Sequence, residues 1–198
     1  MNKVNFLFII AIVAVAVAFF NVMINLDKIK TITGYATGTG TANLTVESSA
    51  SVNFTTNNIN WGSGIVTSGQ SSATLNTAGG VVTNGNWTAV SNGLVFVNIG
   101  NVNVTLDLGA GKTAAGFLGG TSPSYEWNIT NIEANSCNNV SGIVLGASWN
   151  TNSSARICNP LAFLDASDSV RIDIKLVVPY DTSTGAKSDI ITATATAV

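Results

Sequence analysis

Two cysteines, Cys137 and Cys158, are the residues whose types and spacing most plainly allow chemistry. A disulfide between them would close a loop of about twenty residues and contribute up to ~3 kcal/mol. Zinc does not compete, because the chain has no histidine and two thiolates do not complete a four-coordinate site. The lack of histidine also removes the usual base for an activated serine. Asp165 and Asp168, with Asp173 downstream, offer carboxylate oxygens of the kind calcium takes. The third ligand and the glycine of a calcium loop are missing, and a capped turn leading into a strand accounts for both aspartates. Gly109-Ala110-Gly111-Lys112-Thr113 ends like a phosphate-binding loop, but Leu106 stands where the pattern needs its first glycine. It reads as a turn, with no helix expected behind it. The chain is therefore not read as an enzyme, and no cofactor is expected.

Two further sets of residues could meet sugars. Asn-x-Ser/Thr signals occur at Asn43, Asn53, Asn86, Asn103, Asn128, Asn139 and Asn152, and glycans on them require an outward-facing position on an exported chain. On a strand, such glycans also shield the sheet from unwanted pairing. Trp61, Trp87, Trp127 and Trp149 could form a stacking platform for carbohydrate. That reading requires at least two of them to lie exposed on one face, whereas buried aromatics are the commoner case.

The composition limits the elements that carry these residues. Only 9% of residues are charged, against roughly 25% in a typical soluble domain, and polarity comes from Asn, Thr, Ser and Gly instead. The 46% hydrophobic content argues against disorder. Thr suits pleated surfaces while Asn and Gly supply turns. A net charge of −2 provides no basic patch for nucleic acid.

At the N-terminus, Lys3 precedes an uninterrupted apolar run from Phe6 to Phe20, with a weaker extension to Leu26 before Asp27, Lys28 and Lys30. A cleaved signal peptide has this form, with Ala16-Val17-Ala18 as the cleavage site. Cleavage there would leave Phe19, Phe20, Val22, Met23 and Ile24 at the new terminus. An uncleaved anchor from about Val4 to Leu26 reaches roughly 34 Å, enough for a bilayer core of about 30 Å. The anchor is favoured. A pilin-type assembly helix lacks its processing site. The expected division is a helix over 1–30 and an exported domain over 31–198.

Beyond residue 30, short alternating segments recur between turn signals, as in an all-β domain. Thr39 to Val46 and Ala50 to Thr55 are candidate first strands. Asn84-Gly85 and Asn92-Gly93 are hairpin-type turns. Leu94 to Ile99 is followed by Val102 to Leu108, in which Val102, Val104, Leu106 and Leu108 oppose Asn103, Thr105 and Asp107. From Val170 to Val178, apolar residues alternate with Arg171, Asp173 and Lys175, predicting one buried face and one wet face. Pro179 ends that strand, and Thr192, Thr194 and Thr196 alternate with Ala193, Ala195 and Ala197 in a last strand tied into a sheet. The fold class expected is all-β, an antiparallel β-sandwich of about 9–11 strands behind one N-terminal hydrophobic helix.

Three stretches carry a family resemblance. The run from Asn98 to Leu106 resembles a strand entry of secreted β-sandwich proteins related to TasA and camelysin, which build or decorate extracellular fibres. The stretch from Val170 to Val198, with Val178-Pro179-Tyr180 before a Thr-Gly turn, resembles the last hairpin of archaeal surface sandwiches. The opening from Gly38 to Phe54, with Asn60-Trp61-Gly62, resembles the start of exported archaeal proteins of this kind. Such fibre proteins normally lose a signal peptide, so a retained helix departs from their pattern. The resemblance implies a structural role in a cell envelope or extracellular filament. Strand addition between copies provides the physical means, with the segment from Ile32 to Val46 as candidate donor. A membrane-anchored or filament-forming surface protein is the expected function, and a carbohydrate-binding or adhesive module is the alternative.

Overall fold

The longest strand organises the fold. In the computed structural model, which describes residues 3–30, 43–138, 150–151 and 155–198, Ser169–Pro179 forms an eleven-residue strand. In chain order the elements are α1 (Lys3–Lys30), β1 (Val52–Thr56), β2 (Ser72–Asn76), β3 (Val81–Thr83), β4 (Leu94–Asn98), β5 (Val104–Ala110), α2 (Ala114–Phe117), β6 (Ser124–Asn131), β7 (Asn150–Thr151), β8 (Ala155–Leu161), β9 (Ser169–Pro179) and β10 (Ile191–Ala197). The chain divides into two compact units, Met1–Thr45 and Val46–Val198, so the boundary falls later than the expected 30/31.

In the first unit, α1 is apolar all round. Its window Leu7–Ile24 has a mean hydropathy of 2.9, and none of it is buried among the described residues. Asn21, the polar residue in that window, returns its amide to the Val17 carbonyl one turn back. The helix is long and apolar enough to serve as a signal or to cross a membrane.

The second unit is the expected antiparallel sandwich, with two open sheets and ten strands among the described residues. In the larger sheet, β9 pairs along one side with β6 from Val170 to Val177. Along its other side it pairs first with β4 and then with β2. β1 and β3 extend these two arms, and β7 adds to β6. The smaller sheet has the order β10-β5-β8. Period-two alternation sends Leu75, Phe96, Trp127, Ile129, Ile172 and Ile174 into one core with Val104, Leu106, Leu108 and Ile157 of the small sheet. Phe54 meets Phe96 edge-on at 5.0 Å.

Where β4 and β2 diverge on β9, a polar knot fills the fork. Thr77 donates its hydroxyl to Asp173 (2.8 Å) and accepts from the Ile174 amide. Arg171 donates to Asp173 and to the carbonyls of Thr77 and Ser91. Asp173 is only 4% exposed, so the face predicted to be wet is covered at this point. Gly93 lies against it: a Cβ there would come within 2.7 Å of the Asp173 carboxylate and the Ile172 carbonyl. Asn92-Gly93 is therefore a packing point entering β4, not a hairpin turn. Asn84 does take a left-handed φ of 56°. The β2–β3 hairpin, however, turns at residues 77–80, where Gly79 and Gly80 carry φ of 79° and 66°.

Three other expectations change. Residues 43–46 are exposed and outside any strand, while 39–42 lie outside the described residues. β5 begins at Val104, and Thr105, expected to face outward, is buried. A one-turn helix, α2, does follow the glycine-rich turn, capped by the Thr113 hydroxyl accepting from the Gly116 amide at 3.1 Å.

Candidate functional site: the two edges of the small sheet

Cys137 and Cys158 form the expected disulfide, with Cα atoms 5.2 Å apart. Its position gives it a second role. Cys137 bridges Leu161 as a single antiparallel pair on the outer edge of β8. The Asn138 amide donates to Pro160, and the Ala162 amide donates to Ser136. The Asn131 side chain clamps Cys137 by accepting from its amide at 3.0 Å and donating to its carbonyl. Pro160 follows a cis peptide bond and lacks a donor there. The β8 edge is therefore paired, stapled and interrupted.

The β10 edge is different. β10 pairs with β5 through seven consecutive residues without a register shift, and no described residue pairs with its other side. The Val198 amide donates to Asn103 and the Gly111 amide to Ile190. Even-numbered residues of β10 therefore point their backbone groups at β5. By the alternation of an antiparallel ladder, Ile191, Ala193, Ala195 and Ala197 direct their N–H and C=O groups away from it. Thr192, Thr194 and Thr196 are exposed on the outer face, while Ile191, Ala193 and Ala195 pack against the core.

A cleft of about 1480 Å³ opens beside the start of β10, with Trp61, Phe117, Tyr125, Ile174, Leu176 and Ile191 among its lining. Ile65 and Ile190, also lining it, are 69% and 76% exposed. Burial, and then the nearby Asp189 carboxylate, push the Tyr125 phenol well above its usual range.

Among the described residues, no two tryptophans lie exposed on one face as a sugar platform requires. Trp127 is buried in the core. Trp87 and Trp61 are half-buried against it, and the space over the Trp87 ring is taken by Gly64 and Gly85, where any Cβ would fall within 2.8 Å of it. Trp149 lies outside the described residues. Of the seven glycosylation signals, Asn43, Asn53 and Asn86 are exposed and Asn103 is half-buried. Asn128 is corrected: at 7% exposure, opposite Asp173 in the β6–β9 ladder, it has no room for a glycan. Asn139 and Asn152 lie outside the described residues.

Asp165 is exposed and Asp168 is buried. No cluster of three metal-ligating side chains occurs among the described residues. Glu133 plays the capping part here, accepting from the amides of Asp168 (2.9 Å) and Ser169 (3.2 Å). The bond from the Asp168 amide is the main reason its carboxyl lies below the usual range. Burial, then the charges of Glu133 and Asp165, raises Asp168.

Sequence reasoning saw the Thr/Ala strand but not that it forms an edge. The signal was available in the uncharged Thr-Ala alternation, since exposed edges usually carry Lys, Pro or a bulge. No protein-family model, curated protein or solved structure matches this chain.

Proposed function

We propose that this chain is a structural component of a cell surface, anchored in the membrane through α1 and assembling with its neighbours through the β-sandwich. The observation that carries this reading is α1, whose window Leu7–Ile24 is long and apolar enough to cross a membrane, with a mean hydropathy of 2.9. Burying that surface in a bilayer satisfies it, whereas water does not. Two features of the second unit support an exterior location: a buried disulfide, which persists in oxidising compartments, and exposed glycosylation signals at Asn53 and Asn86. The resemblance of three stretches to fibre-building β-sandwich proteins, some of them archaeal, agrees with an envelope or filament role.

The test is fractionation of native cells followed by protease treatment of intact cells and intact-mass measurement. The chain should stay in membranes through an alkaline wash, lose its β-domain to external protease, and carry glycan mass with an unreduced Cys137–Cys158 bond. Recovery of the full chain in the soluble interior, reduced and unmodified, would overturn the proposal.

A further inference from the structure

We infer that β10 is a self-pairing edge: two copies of this chain join their β10 strands antiparallel, making one six-stranded sheet from two three-stranded ones. This rests on the assembly reading above and names the surface and the register.

The inference begins with how the other edges are blunted. β1 carries a register shift between Phe54 and Thr56, and β3 has three residues. The β8 edge is closed by the Cys137 bridge and Pro160. These are the devices by which sheets avoid pairing edge to edge. β10 has none of them: seven residues, an unbroken ladder on one side, and no charge, proline or bulge.

The occupant follows from the sequence of the strand. In the register of fullest overlap, Thr194 sits opposite Thr194 of the second copy on the two-fold axis. Ala193 then faces Ala195, and Ile191 faces Ala197. Each of these pairs joins two residues whose backbone groups point away from β5, so every outward N–H and C=O finds a partner. The Thr residues fall opposite one another on the outer face, a favourable cross-strand pairing, and every pair on the inner face includes at least one alanine. No charges oppose. Such an isologous contact closes on itself as a dimer. It also brings a second copy toward the cleft at the start of β10, where Ile65 and Ile190 stand exposed.

The register makes the test sharp. The Thr194 pair is of the non-hydrogen-bonded type, with Cα atoms about 4.5 Å apart, within the usual reach of a disulfide. In the full-length chain in native membranes, Thr194→Cys should cross-link to itself under mild oxidation. Thr192→Cys and Thr196→Cys should each fail alone and succeed when mixed. Thr194→Lys should leave thermal stability unchanged and weaken dimerisation about fivefold or more, because like charges then face each other.

Equal cross-linking of all three single variants, or none by any, overturns the β10 pairing. If the unmodified chain still self-associates in detergent by light scattering, another surface joins the copies and the assembly reading stands. Cross-links from β10 to residues 32–46 would name that segment of a neighbour as the occupant instead. A chain that stays monomeric at every concentration defeats both readings.

Discussion

The small sheet has two edges, and they are built to opposite ends. At β8 the outer side is occupied by residues 136–138, held by a disulfide, a two-way Asn131 clamp and reciprocal backbone bonds. The strand beneath is sealed, with Ile157, Cys158 and Leu161 fully buried. At β10 the inner residues Ile191, Ala193 and Ala195 are left half-buried, and the backbone groups beside them have no partner among the described residues. Both strands pair with the same central β5, so the difference does not come from the core they share. One edge is closed by two cysteines and a proline, and the other has no pairing strand among the described residues, which is the contrast behind the proposed β10 pairing.

The contrast can be broken most severely at the closed edge. Replacing both Cys137 and Cys158 by Ala should cost about 3 kcal/mol of unfolding free energy, as expected for a loop of this length. Urea titration would measure it, and hydrogen exchange should show β8 amides opening before those of β10. Asn131→Ala keeps the disulfide but removes both side-chain bonds to Cys137. It should cost about 1–2 kcal/mol, read as a lower denaturation midpoint with unchanged slope.

A third effect belongs to the β10 side and appears only at alkaline pH. The folded chain holds the Tyr125 proton more tightly than the unfolded chain does, because of burial and then Asp189. Its contribution is fully present below pH 10 and is lost as pH rises beyond it. Melting temperature should therefore fall above pH 10, and Tyr125→Phe should flatten that fall. The smallest expected change in monomer stability is that of Thr194→Lys on the open edge, within about 0.5 kcal/mol by thermal melting. A large loss there would mean that β10 is not the exposed edge described.

Much of this architecture was legible because alternation is a local signal. β9 and β10 follow from their period-two patterns, and the disulfide from a cysteine pair with no competing use. Pairing is not local. β6 offers Trp127 and Ile129 between polar neighbours, and β8 breaks its pattern with Asn159 and Pro160, so neither stood out as a strand. The fork on β9 shows the same limit: Asp173 reads as a wet residue until Thr77, some hundred positions away, covers it. Asn92-Gly93 carries a turn signature, but the close approach of Asp173 explains the glycine. The β10 edge was visible as a Thr/Ala strand, and only the sheet order showed that one of its sides has no partner among the described residues.

The asymmetry is tested most directly by residue-resolved amide hydrogen exchange on β10 in the assembled and dissociated full-length chain. The amides of Thr192, Thr194 and Thr196 should be protected in both states by β5, while those of Ile191, Ala193, Ala195 and Ala197 gain protection only on assembly. Equal and rapid exchange of those four amides in the assembled state would contradict the account.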